Sequence, residues 1–345
     1  MTGIAAAPAT EKHGGRVFEA ARRLNCDWRE ILDFSANINP LGPPSSALAA
    51  IAQSLERLAH YPEIGAPRLR RAAARFWGVG EENVLAGNGA VELIFFLART
   101  LRPEHVVLEV PTFSEYRRAF AASRILAVPA ASSIEPAAGL TIVTRPNNPT
   151  GGGEDRERML RWVRSLPAQA SVLVDESFVD FASDQALTEL IDRPGVFLLR
   201  SLTKFFALPG LRVGCLLAHP QSITELQARR EPWQVSAPAE DAATAALADI
   251  DYVDKTRSLI AQERVRLTES LAALQGLSPR PSLANFVFCG YAGGTAALSE
   301  RLVEHKILIR DCSDIEGVTT SAFRVAVRGR EENDRLIAAL KEELG

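Results

Sequence analysis

At 345 residues the chain is long enough to bury a large core, and length alone argues for two domains. Hydrophobic residues at 47% and charged residues at 23% are ordinary for a water-soluble globular protein. Lys and Arg number 39 against 42 Asp and Glu, a net charge of −3, so no basic domain argues for nucleic acid, and no 18-residue apolar run argues for a membrane span. The cysteines at 26, 215, 289 and 312 lack metal-ligand spacing and read as reduced, mostly buried thiols, so no metal is expected. The opening Met1-Thr-Gly-Ile-Ala-Ala-Ala-Pro lacks the basic start and long apolar run of a signal peptide, and the expectation is a cytoplasmic enzyme.

The first dozen residues are small and polar and read as a loose arm. His13-Gly-Gly follows, then a helical run from Val17 to Leu24; the histidine either turns toward an anion or is simply solvated. Leu32 to Pro44 is a short strand entering a turn-rich loop, where Asn37 and Asn39 serve a ligand or plain turn chemistry. Ser45 or Ser46 caps a helix through Leu58. Tyr61, held extended by Pro62, is followed by a second amphipathic helix from Pro67 to Trp77.

Val84-Leu-Ala-Gly-Asn-Gly89 is strand, glycine turn and helix start. Its glycines let backbone approach a ligand, and the helix N-terminus favours an anion, although tight turns also use Gly-Asn-Gly. Val106 to Val110 is a strand, after which Phe113 is placed to stack on a flat ring or to pack in the core. Leu140 to Thr144 leads into Arg-Pro-Asn147-Asn148-Pro-Thr-Gly-Gly-Gly153, too rich in amides and glycine for a simple turn. A helix follows from Arg156 to Ser165. Ser171-Val-Leu-Val-Asp175 is a buried strand ending in a carboxylate, which is costly there unless paired; a protonated pyridine, a salt bridge or a helix cap are the options.

The most informative run is Ser201 to Gly214, behind the apolar strand starting at Val196. Lys204 sits among hydroxyls and apolar residues, and partial desolvation lowers its pKa and frees its amine to attack a carbonyl. Ser201 and Thr203 offer hydroxyls and N–H groups to an anion, and Arg212 adds a fork suited to phosphate. An amine nucleophile beside an anion cradle suits pyridoxal 5′-phosphate. From Val84 to Ala218 the chain alternates strand and helix, which predicts an α/β fold with a mainly parallel sheet, helices on both faces and ligand groups at strand C-termini.

Beyond Ala218 come an irregular loop, Glu231 to Ser236, and a long helix from Ala239 to Leu274. Then follow a strand Asn285 to Cys289, a helix Thr295 to His305, strands Ile307 to Asp311 and Phe323 to Val327, and a last helix Glu331 to Leu344. These read as a smaller α+β domain. Arg310 and Arg324, inside apolar strands, each need an anion from a ligand or an internal carboxylate. The expected division is 1–44 as arm and part of the small domain, 45–224 as the large cofactor-binding domain and 225–345 as the small C-terminal domain.

Taken together, Asn147-Asn-Pro-Thr-Gly151, Asp175-Glu176, Ser201-Leu-Thr-Lys204 and Arg212 resemble, in order and over nearly the whole chain, fold-type I pyridoxal-phosphate enzymes of the aspartate aminotransferase superfamily. The resemblance implies a seven-stranded-type sheet between helix layers. It implies Lys204 as the Schiff-base lysine, Asp175 on the pyridine nitrogen, Asn148 on the phenolic oxygen and Phe113 stacked on the ring. The phosphate would be held by Ser201, Thr203, Arg212 and the turn Gly89, Ala90 and Val91. Tyr61 would reach the neighbouring subunit's phosphate, so a homodimer with shared sites is implied. Within the superfamily the chain is similar to the histidinol-phosphate aminotransferase branch and, more closely, to the threonine-phosphate decarboxylases of cobalamin biosynthesis. The segments that carry this are His13-Gly-Gly, Asp33-Phe-Ser-Ala-Asn-Ile-Asn-Pro-Leu-Gly, Glu231-Pro-Trp-Gln-Val and Ile307-Leu-Ile-Arg-Asp-Cys. A small phosphorylated amino acid is then the implied substrate, gripped by His13, Asn37, Asn39, Asn148, Arg310 and Arg324. One departure is Phe178, where the aminotransferases often have tyrosine. A cofactor-binding regulatory domain without turnover, or an α/β binding protein without the cofactor, are the competing classes.

Overall fold

The computed structural model describes residues 13–129, 139–318 and 320–345; the expected N-terminal arm before His13 lies outside them. The strands are β1 (Leu32–Asp33), β2 (Val84–Gly87), β3 (His105–Glu109), β4 (Arg124–Val128), β5 (Leu140–Thr144), β6 (Ser171–Asp175), β7 (Val196–Ser201), β8 (Gly214–Ala218), β9 (Leu277–Pro279), β10 (Phe286–Tyr291), β11 (Ile307–Leu308), β12 (Arg310–Asp311) and β13 (Ala322–Ala326).

Seven of them form the main sheet in the order β2-β8-β7-β6-β5-β3-β4. All run parallel except β8, which is antiparallel to both β2 and β7. The central strands are apolar runs because both faces are covered by packed elements. Successive side chains leave a strand on opposite faces, and the core divides accordingly. Val172, Val174 and Leu198 enter one hydrophobic cluster, while Leu173, Phe197 and Leu199 enter the other. A four-stranded antiparallel sheet, β12-β13-β10-β9, and the parallel pair β1–β11 hold the C-terminal part. The pair β1–β11 sets the segment after Asp33 beside β13, where Ala326 N–H donates to Phe34 O at 2.8 Å.

Three local expectations change. The helix expected from Ala239 to Leu274 is two helices, Ala237–Ala248 and Ile250–Ala272, broken at Asp249, whose carboxylate accepts from Tyr252 N–H at 3.1 Å and from Ser46 Oγ at 2.7 Å. The strand expected from Ile307 to Asp311 is split between two sheets. Strand β4, Arg-Ile-Leu-Ala-Val, was not anticipated; it is the sheet edge, and although its sequence is apolar its Leu126 is 56% exposed.

Beneath β6 and β7, Arg200 is buried with Glu176 at 2.6 Å and Asp180 at 3.4 Å. Removing the cation leaves two buried carboxylates without their partner. Arg200→Met should cost about 3–5 kcal/mol, read as a fall in the urea unfolding midpoint; an unchanged midpoint would show the ion pairs contribute nothing net.

Candidate active site

Loops leaving β3, β5, β6 and β7 at their C-terminal ends enclose a cavity of about 260 Å³, to which they contribute Thr112 and Phe113, Asn148, Asp175 and Lys204. Asp175 ends β6 and is 5% exposed. Burial pushes its carboxyl above the usual range, opposed by hydrogen bonds from Ser177 and Tyr116. Tyr116 Oη donates to Oδ2 at 2.6 Å and Ser177 N–H to Oδ1 at 2.8 Å.

Lys204 lies in the helical turn Leu202–Phe205 directly after β7. Loss of solvent pulls its amine down to about 8, helped by Arg324 and Arg212 and opposed by Asp33. An amine in that range keeps a minor but usable neutral fraction near physiological pH, far more than an ordinary lysine.

Ala90 and Val91, at the start of the helix Gly89–Leu101, line the same cavity with Ser201, Thr203 and Arg212. The Ser201 and Thr203 hydroxyls share a hydrogen bond at 2.8 Å. Arg212 is exposed and crosses the helix start over Gly89: a Cβ there would stand 2.8 Å from Nη2, and Gly89 has φ +83°. Only glycine serves that position. The arrangement is an anion cradle of helix N–H groups, hydroxyls and one guanidinium.

Further positive charge converges from the C-terminal part. Arg324, on β13, donates through Nη1 to Asn148 Oδ1 and through Nη2 to Ser35 O at 2.9 Å. Because the guanidinium only donates, it fixes the Asn148 amide with its oxygen toward Arg324 and leaves Nδ2 to donate elsewhere. Burial lowers the Arg324 pKa to about 10, and its Nε is buried without a partner. Arg310 borders the cavity with Nη2 on Asp314 at 2.9 Å. His13 reaches the wall because Gly14 lacks a side chain: a Cβ on Gly14 would overlap Ser35 O, and Gly15 N–H donates to Ser35 Oγ at 2.9 Å. The imidazole then meets Glu115 at 3.0 Å and tilts on Phe113, with ring centroids 6.0 Å apart. Phe178 also lines the cavity and packs edge-on against Phe286.

Two expected site residues stand elsewhere. Asn39 does not face the cavity; its amide donates to Phe205 O, Tyr252 Oη and Thr256 Oγ1 at 2.8–2.9 Å and accepts from Leu41 N–H. It is a structural clamp, because that set leaves no donor for a ligand. Asn37, two residues earlier, does line the cavity, with Oδ1 buried and unpartnered. Tyr61 lies outside the cavity, 81% exposed and stacked on Trp233 at 4.6 Å. The tandem asparagines divide similarly: Asn147 closes its own loop through Thr150 and Pro111, and Asn148 faces the cavity. Sequence reasoning missed Tyr116, Ser177, Thr112 and Ile315. For Tyr116 a signal existed, since it follows Phe113 by three residues into a helical turn, which sets both on one side.

A profile of the aminotransferase class I and II family matches residues 29–340. The chain belongs to that family. It is 34% identical to a threonine-phosphate decarboxylase of Salmonella typhimurium over 96% of each chain. It is also 33% identical to histidinol-phosphate aminotransferase 2 of Archaeoglobus fulgidus, over 91% of this chain and 93% of that one. Among solved structures, a histidinol-phosphate aminotransferase of Sinorhizobium meliloti in complex with pyridoxal-5′-phosphate superposes with a TM-score of 0.85 at 27% identity, covering 99% of this chain and 98% of the other. The family's type I fold and its cofactor, pyridoxal 5′-phosphate, follow, and the chain is a pyridoxal-phosphate-dependent enzyme. The cavity fits that cofactor: an uncompensated buried acid, a depressed amine and an anion cradle face one space. Among the described residues no helix is long and apolar enough to cross a membrane, and no cluster of His, Cys, Asp and Glu suits a metal ion.

With cofactor removed, Lys204 should be half-acylated near pH 8 in a peptide-resolved labelling series, because its pKa is about 8. Lys306, which Glu30 holds above the usual range, should label only at higher pH. A Lys204 midpoint at the ordinary 10.5 would contradict the enclosed amine.

Proposed function

We propose that this enzyme decarboxylates L-threonine O-3-phosphate to (R)-1-amino-2-propanol O-2-phosphate. The observation that carries the reading is the cavity's positive load: Arg310 and Arg324 border it in addition to Arg212, with His13 as a further hydrogen-bonding group. That is enough for a substrate carrying both carboxylate and phosphate beside the cofactor's own phosphate. Histidinol phosphate has no carboxylate and uses less of it. Full-length likeness to a threonine-phosphate decarboxylase supports the same choice. Comparable likeness to a histidinol-phosphate aminotransferase keeps amino transfer as the alternative.

In this reading Lys204 holds the cofactor's aldehyde carbon, Asp175 its ring nitrogen, Asn148 Nδ2 its phenolic oxygen and Phe113 its ring face. Ser201, Thr203, Arg212 and the N–H groups of Ala90 and Val91 hold its phosphate. When bound, pyridoxal phosphate accepts the electron pair of a bond broken at the substrate's α-carbon. The protein selects the bond by pose. Arg324, Arg310, Asn37 and His13 grip the substrate's anionic groups so that the carboxylate, rather than the α-hydrogen, stands out of the ring plane. Lys204 Nζ, freed once the substrate's amine takes its place on the cofactor, would deliver the proton that replaces the departed CO₂. Phe178 brings no hydroxyl to the wall where related aminotransferases often have tyrosine.

We further propose a homodimer in which Tyr61 of each subunit completes the other's phosphate cradle, since Arg212 is exposed and Tyr61 reaches outward in the single chain.

The holoenzyme should release CO₂ from L-threonine O-3-phosphate without 2-oxoglutarate; amine transfer from histidinol phosphate instead would establish the alternative. Lys204→Ala should lower turnover by at least about 10²–10⁴-fold, the range for a lost proton-transfer group, and full turnover would be fatal to the scheme. Mixing Lys204→Ala with Tyr61→Ala subunits should regenerate one intact site per hybrid dimer. Activity no greater than the sum of the two parents would reject shared sites.

A further inference from the structure

Asp175 has a peculiar environment for a group that must be ionised. No Lys, Arg or His nitrogen lies within 4.0 Å of its carboxylate among the described residues' ion pairs, and burial disfavours its charge. Its negative charge is supported by neutral donors: Ser177, through its N–H on Oδ1 and through its side chain, and Tyr116 Oη on Oδ2. The Ser177 N–H is backbone and comes with the turn after β6. Tyr116 is a side-chain choice. It is fully buried, and its ring meets Phe113 edge-on at 6.4 Å.

Its phenol is suited to the task. Burial beside a carboxylate pushes its pKa well above the usual value, so it stays a donor at every working pH. At 2.6 Å it is a short hydrogen bond of the kind made to charged oxygens. With donors on both oxygens, the carboxylate plane is fixed while the acid still lines the cavity.

We propose that Tyr116 is a positioning residue for the cofactor: its hydroxyl holds Asp175 ionised and aimed at the pyridine nitrogen, so that it contributes to cofactor affinity only through that nitrogen. This rests on the assignment of Asp175 to the ring nitrogen. Phe113, just before the helix Glu115–Ala119, and Tyr116, within it, then act as a pair, the first bordering the cavity and the second setting the acid.

The test uses the full-length apoprotein and two probes, pyridoxal 5′-phosphate and its 1-deaza analogue, in which carbon replaces the ring nitrogen. Tyr116→Phe keeps the packing and removes only the hydroxyl. For pyridoxal phosphate its Kd should rise about 10- to 100-fold, the loss expected for a hydrogen bond to a charged group. For the deaza analogue the change should be less than about twofold, and so should the effect of adding Tyr116→Phe to an Asp175→Asn background. Equal weakening for both probes would make Tyr116 a packing residue, and no weakening for either would also overturn the proposal. Wild-type binding that ignores the ring nitrogen would instead sink the assignment of Asp175 itself.

Discussion

Asp175 and Glu176 are neighbours at the end of the same buried strand, and their contrast organises the molecule. Adjacent positions leave the strand toward opposite sides. Glu176 points away from the cavity into a fully buried ion pair with Arg200. Asp175 points into the cavity and finds only neutral donors. Burying a carboxylate without a cation costs several kcal/mol unless it takes a proton or meets a positive partner. The chain has satisfied one acid internally and left the other for a ligand. A protonated pyridine is a partner of the right sign and shape, which is why the rest of the cavity reads as a cofactor cradle.

Positive charge around Lys204 follows from the same economy. Arg324 and Arg212 both press its amine toward the neutral form, with Asp33 as the counterweight. Those guanidiniums are also anion-binding groups in the same cavity. One set of charges thus lowers the pKa of the amine and makes the same cavity favourable to anions. Arg324 does a third thing by fixing which face of the Asn148 amide is left to donate.

The α/β sheet was legible because its strands are apolar on both faces, which produces runs such as Val172 to Val174 that need no alternation to be recognised. The lysine, acid and glycine-turn residues were legible because each carries chemistry that is expensive without a reason. What the sequence hid is what backbone geometry decides. Two asparagines spaced by one residue, Asn37 and Asn39, differ only in which way an irregular loop turns them, and no periodicity governs such a loop. The break at Asp249 was hidden because a helix-capping aspartate between two helical runs looks like one more polar position. Tyr116 carried a spacing signal beside Phe113, but its partner, Asp175, is 59 residues away and its role was not legible.

The exposure of Arg212 gives the last step. A guanidinium in water binds phosphate weakly, because solvent screens the charge. In the single chain the cradle is therefore strong at its buried side, where Ser201 and Thr203 lie, and weak at its open side. Just before the helix that carries Arg68 and the exposed Arg71, Tyr61 is exposed and stacks on the exposed Trp233, and Leu55, Leu58 and Ile64 are exposed as well. A protein does not gain from leaving that many large apolar side chains in water unless another surface covers them. If the proposed dimer also covers Arg212, the guanidinium's attraction for phosphate rises as the local dielectric falls. Assembly and cofactor retention are then one equilibrium, each strengthening the other.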